Sequence, residues 1–130
     1  MATSNLLGVS PQSILSGAAI GINRVVKRSA ANTGIVTTAI TDVPIGVATI
    51  AASGAGELVS IQSFGIAKCV ASDAISEGAQ VMCTASGAGK VVTAAGATAY
   101  SIGIARTAAG ADGDVIEVQL LLAGAGPANS

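Results

Sequence analysis

The stretch IGVATIAASGAGELVSIQ, residues 45–62, returns 57 positions later as IGIARTAAGADGDVIEVQ, residues 102–119. Apolar residues fall on apolar residues, the glycine and the acid of the connection recur, and the copies end in Gln62 and Gln119. No gap is needed. Self-similarity of this kind fixes the supersecondary unit from which a fold is built. Here the unit is a strand, a loop of small residues and a second strand, and it contains no catalytic side chain.

The β pattern extends around both copies. Runs rich in Val, Ile and Thr alternate with Gly, Ser, Asn and Asp at intervals near ten residues, the spacing of a sandwich or barrel. Strands are expected at 22–28, 34–38, 45–50, 58–64, 66–70, 80–84, 90–94, 101–106 and 115–122, with hairpin connections at 29–33 and 85–89. The segment at 73–78 is expected to form one helical turn crossing between the halves. Val25 and Val36-Thr37 match Val81 and Val92-Thr93 at a separation of 56, so the full unit reads as a double hairpin used twice. The fold class is therefore all-β, a small barrel or sandwich of two similar double-hairpin halves. Closure of this kind removes exposed strand edges.

Alternation assigns faces. Ile116, Val118 and Leu120 share one side of the last strand, with Glu117 and Gln119 opposite, and the repeat transfers this to Val59 and Ile61 against Ser60 and Gln62. In the preceding strand Ile45/Val47 and Ile102/Ile104 are expected inward, and Gly46/Ala48 and Gly103/Ala105 outward. A Gly/Ala face admits another backbone at close range, either a neighbouring strand or another subunit.

Residues 1–20 have no clean period and no charge. They read as an extended arm that orders against something else, with a short first helix near Pro11 as the alternative. Leu6, Leu7, Ile14 and Leu15 are its large apolar residues. The barrel domain spans 21–122, and 123–130 form a tail. The arm lacks a basic n-region, so a signal peptide is not expected.

Composition narrows the function classes. Charged residues are 10% of the chain, alanine and glycine make up a third, and the net charge is -1. So few ionic groups give little repulsion between copies, and so apolar a surface is expected to be covered by partners. No membrane is implied, because Gly, Pro, Ser, Thr or a charge interrupts every candidate span. With no His, no Ser-His-Asp or Cys-His arrangement exists. Cys69 and Cys83 fit no metal motif and read as reduced, buried thiols. Ser86-Gly87-Ala88-Gly89-Lys90-Val91 fails as a phosphate loop, since Thr84 stands where the first glycine is needed and Val91 where Ser or Thr is needed. Neither a cofactor nor a metal nor an enzymatic activity is expected. Six basic residues against seven acids give no nucleic-acid footprint. Arg24, Lys27 and Arg28 form the one charge cluster; in a strand Arg24 and Arg28 share a face. The cluster reads either as a solvated strand end or as a salt-sensitive contact with an acidic partner surface.

The pattern Ile45-Gly46-Val47-Ala48 through Gly56-Glu57-Leu58-Val59, its copy, the lead Asp73-x-Ile75-x-x-Gly78-x-x-Val81 and the run Gly89-Lys90-Val91-Val92 resemble the head-decoration, or capsid cement, proteins of tailed bacteriophages. The resemblance covers about residues 22–121. It implies a small β-barrel or sandwich that binds the outside of a phage head and stabilises the shell. It also implies the major capsid protein as partner, a homo-oligomer that is most often a trimer, and a virion location after synthesis in the host cytoplasm. Leu6, Leu7, Ile14, Leu15, Arg24 and Arg28 are the candidate contacts to shell or subunit. A fibre base, tail component or minor shell protein is the alternative. A carbohydrate-binding module ranks lower, because only Phe64 and Tyr100 could offer aromatic platforms.

Overall fold

A computed structural model describes residues 12–39, 42–84, 89–94 and 101–121. In chain order the strands are β1 (Gln12–Ser16), β2 (Val25–Ala30), β3 (Thr33–Val36), β4 (Pro44–Ala48), β5 (Leu58–Gln62), β6 (Gly65–Val70), β7 (Gln80–Cys83), β8 (Val91–Thr93), β9 (Ser101–Ala105) and β10 (Val115–Leu120). The first five close into a barrel in the order β1-β3-β2-β4-β5, and the others form a sheet in the order β6-β10-β9-β7-β8. The all-β expectation holds. The segment at 73–78 contains no helical turn; Ile75 instead bridges Ala109.

The duplication is larger than the sequence shows. β1 pairs antiparallel with β5 from Gln12–Ile61 to Leu15–Leu58, and parallel with β3 at Leu15–Thr33 and Ser16–Gly34. β6 repeats this, antiparallel to β10 and touching β8 at one parallel bridge, Ala71–Val91. The connecting hydrogen bonds repeat as well. The Ser16 amide donates to the Glu57 carbonyl at 2.8 Å, as Ala71 does to Asp114 at 2.8 Å. Ile20 bridges Ala52 as Ile75 bridges Ala109. Asn23 and Gly78 both adopt left-handed backbone, at φ 65° and 87°, a conformation that these two residue types tolerate. Each half is thus five strands.

Two expectations are corrected here. Residues 12–16 do not belong to an arm: they are the first strand of the barrel, hydrogen-bonded on both sides, and Ser16 is buried. The separation of 56 between the early hairpins is also replaced. Val26 opposes Gly46 and Val81 opposes Gly103, so β2 and β7 correspond at 55; Val36 and Thr93, which oppose them, lie 57 apart. Two residues were therefore gained within the β7–β8 hairpin. A one-residue slip reverses every side chain in a strand, so the distinction decides which residues face inward.

The faces of β4 and β9 are reversed in part. Ala48 and Ala105 are buried in the interiors and Val47 and Ile104 point outward, whereas Ile102 is buried in the second core and Ile45 packs against the barrel core, as expected. Space explains this. A Cβ on Gly46 would lie 2.6 Å from the Gln62 carbonyl oxygen, and one on Gly103 would lie 2.0 Å from that of Gln119. The close approach is to a neighbouring strand of the same chain. One extra residue, Ile45 in β4 and Ile102 in β9, is accommodated by a bulge at the same place in each half. The expected inward faces of β5 and β10 hold, with Val59, Ile61, Ile116, Val118 and Leu120 buried.

The halves are joined through β2 and β4. Val26 points into the barrel with Ile20, Ala48, Ala52 and Val59. Its neighbour Val25 and the cross-strand partner Val47 point the other way, into the core of the second half with Cys69, Cys83, Ile102 and Val118. The Val25 amide donates to the Gly89 carbonyl at 2.8 Å, and the Gly89 amide to that of Thr37 at 3.1 Å.

Two outcomes follow from this packing. Deleting residues 2–20 removes β1 from between β3 and β5, and circular dichroism is expected to show loss of the cooperative melt. Gly46→Ala is expected to cost about 1–3 kcal/mol by overpacking, read from urea unfolding.

Candidate functional site

All the charged side chains lie within the described residues, and most carboxylates are engaged in local structure. Asp114 accepts from the Gly110 and Ala111 amides at 2.7 and 3.2 Å. Glu57, its counterpart, accepts from the Ser53 hydroxyl and amide, and those bonds hold its carboxyl below the ordinary value. Asp73 accepts from the amide of Ala74. Asp112 pairs with Lys90 at 2.9 Å. Asp42 pairs with Lys27 at 3.1 Å. Burial alone would raise the Asp42 pKa, but hydrogen bonds from Thr38, Lys27 and Ala39 outweigh it and the net direction is down. Acids that fold loops are not poised for proton transfer.

Among the described residues no group of His, Cys, Asp or Glu could hold a metal ion, and no helix is long and apolar enough to cross a membrane. Lys90, the basic residue of the failed phosphate motif, is committed to Asp112, and Gly89 to the junction between halves. Both cysteines are free and buried. Burial pushes the Cys69 thiol up to about 12, with Cys83 nearby adding to the effect. Burial also raises Cys83, partly opposed by the Thr37 hydroxyl beside it. The nucleophile is the thiolate, and burial of both thiols disfavours that form.

What remains is surface, and three regions stand out. The first is the end of the barrel where β2 turns into β3. One groove there, about 290 Å³, is lined by Ser13, Ile14, Arg28, Asn32, Ile45 and Ile61. A second, about 670 Å³, shares Arg28 and Ile45 and adds Lys27, Ile35, Asp42 and Val43. The second region is a 410 Å³ groove between the halves, with Ile22, Gln62, Ile66 and Lys68 on its walls. The third is the outer face of β6, β10 and β9. Ile66, Gln119 and Ile104 form one cross-strand row, and exposed Phe64 and Leu121 lie beyond it at the same edge.

The candidate contact residues divide among these regions. Leu6 and Leu7 lie outside the described residues. Ile14 packs against the barrel core and also forms part of its end groove. Leu15 is exposed on the outer wall, opposite Leu58 at 65% exposure. Arg24 is partly buried at the junction, lying against Gly21 and Gly89. Arg28 is exposed and central to the end grooves. Sequence reading missed the outer face of β6, β10 and β9. The alternation of Phe64 and Ile66 was its available signal, but the reversed assignment of Ile104 concealed it.

The phage cement protein family model matches residues 26–120, which include β3 to β10 and nearly all of β2. Curated proteins give no match. Among solved structures, the head fiber gp8.5 N base in bacteriophage phi29 is similar, with a TM-score of 0.71 and 15% identity. That likeness covers 88% of this chain and 95% of the other, and it is one of fold.

The thiols give a pH test. A thiol pKa raised by folding contributes stability that is complete below the unfolded pKa, about 8.5, and is lost as pH rises toward 12. Urea midpoints are expected to fall across that window, with a smaller fall in Cys69→Ala/Cys83→Ala. In the native protein at neutral pH, a disulfide reagent is expected to label neither cysteine until the chain unfolds.

Proposed function

The chain belongs to the phage cement protein family, a structural component of the virion, and on that premise we propose that it decorates the outer surface of a phage head and reinforces the shell without enzymatic activity. The observation that carries this reading is the family match across both halves, on a chain most of whose acids serve its own loops. The residues preceding β1, with Leu6 and Leu7, supply a further contact to the shell or a neighbouring subunit.

The mechanism is multivalency. A single subunit offers modest grooves and a small apolar face. Three subunits held together make the second and third contacts effectively intramolecular, which multiplies avidity without new chemistry. A trimer seated across several shell subunits raises the cost of separating them, because a partner that binds only the assembled state stabilises that state. A base for a longer head attachment is the second reading. It is favoured by the fold shared with the phi29 head fiber base, and it differs in requiring a further protein to sit on this one.

Both readings expect the chain to co-sediment with undecorated shells and to raise the temperature at which those shells come apart. Light scattering after size exclusion is expected to give about three times the 12.3 kDa chain mass. A chain that stays in the supernatant at micromolar concentration, with shell melting unchanged, would contradict the cement role.

A further inference from the structure

The end of the barrel carries a feature that the family match leaves unassigned. β2 alternates, so Val26 and Arg28 share the inward-facing parity. Val26 is buried in the barrel core, and two residues on Arg28 reaches the open end. A register shift between Arg28 and Ala30 ends the regular pairing there, the kind of irregularity that re-aims a side chain. Arg28 is thus a cation on an aliphatic rim, shared by two adjoining grooves with Ile14, Ile35, Val43, Ile45 and Ile61 around it.

The charges nearby are not equivalent. Lys27 is neutralised by Asp42 at 3.1 Å, whereas the Arg28 side chain has no ion pair among the described residues. An anion is the complementary occupant, and the aliphatic walls call for apolar groups on either side of it. The anion is poorly supplied by a second copy of this chain. Asp42, Glu57, Asp73, Asp112 and Asp114 are all engaged internally. That leaves Glu77 and Glu117, and Glu117 stands opposite Lys68 on the neighbouring strand.

We infer that this end of the first barrel docks an extended segment of the shell protein, one that presents a carboxylate between aliphatic side chains and places it on Arg28. The inference deepens the cement reading and rests on it. An arginine grips a carboxylate through two parallel N–H donors, which a lysine does not reproduce. The contact is therefore geometric as well as electrostatic, and it weakens with salt.

The test uses the full chain and shells assembled from the major capsid protein of the phage that encodes it. Binding is read by co-sedimentation over a salt series. Arg28→Glu is expected to weaken binding about tenfold or more at low salt and to flatten the salt dependence, with Arg28→Lys intermediate. Arg106→Glu makes the same charge change at an exposed site on the second half, outside the three grooves, and is expected to stay within about twofold of wild type. Urea unfolding is expected to be unchanged in both Arg28 variants, and circular dichroism is expected to show the native fold in all three. Wild-type binding by Arg28→Glu would overturn the inference while leaving the cement role intact, and so would equal losses in Arg28→Glu and Arg106→Glu. A change in oligomer mass of Arg28→Glu without shells would overturn it in favour of a contact between copies. Failure of the wild type to bind shells would instead remove the cement reading beneath it.

Discussion

At Gly46 and Gly103 the main chain of the adjacent strand comes too close for any side chain, and the rest of this structure depends on that approach. Alanine takes the next inward place in each half, at Ala48 and Ala105. Val47 and Ile104, between the glycine and the alanine, therefore face outward, while Ile102 at its bulge stays in the second core and Ile45 packs against the first. Interiors tolerate little excess volume, and a bulge at Ile45 and at Ile102 adjusts the strands around the glycine.

Outward-facing aliphatic residues need cover, and that requirement shapes the molecule beyond each half. Val47 is 2% exposed because the second half packs over it, together with Val25. Its counterpart Ile104 is 37% exposed, and nothing among the described residues packs over it in the same way. The same local pattern therefore yields a core residue in one copy and a surface residue in the other.

Much of this was legible in the sequence, and the losses have identifiable causes. The second hairpin of each half was plain, because strand, loop and strand recur without a gap in 45–62 and 102–119. Inward residues of β5 and β10 were plain as well, since Glu117 and Gln119 mark the solvent side. β1 was concealed because 12–26 and 67–81 share only Ala19/Ala74, Ile20/Ile75 and Val26/Val81. Backbone hydrogen bonding, which carries no side-chain signature, keeps those segments equivalent. Val47/Ala48 in β4 and Ile104/Ala105 in β9 were misread because hydrophobicity was taken as the sign of the inside. Beside a glycine pressed on the next strand, size rather than hydrophobicity decides. The end groove was only half visible: Arg28 stood out as charge, but its aliphatic walls come from β1, β3, β4 and β5.

The halves share a backbone plan but have parted in their chemistry, and the difference bears on function. The first half holds Arg24, Lys27 and Arg28 against Asp42 and Glu57; the second holds Lys68, Lys90 and Arg106 against five acids. The duplicated loops kept their acids in the same structural task, Glu57 on Ser53 and Asp114 on Gly110. Where the plan leaves freedom, at strand ends and outer faces, the copies differ: an arginine at the open end of one half, exposed isoleucines across the other. Among the described residues most of the acids are drawn into turns and ion pairs. One backbone unit, used twice with two different outsides, thus gives a small chain two chemically distinct surfaces: a cation on an aliphatic rim in one half and a row of exposed apolar side chains in the other.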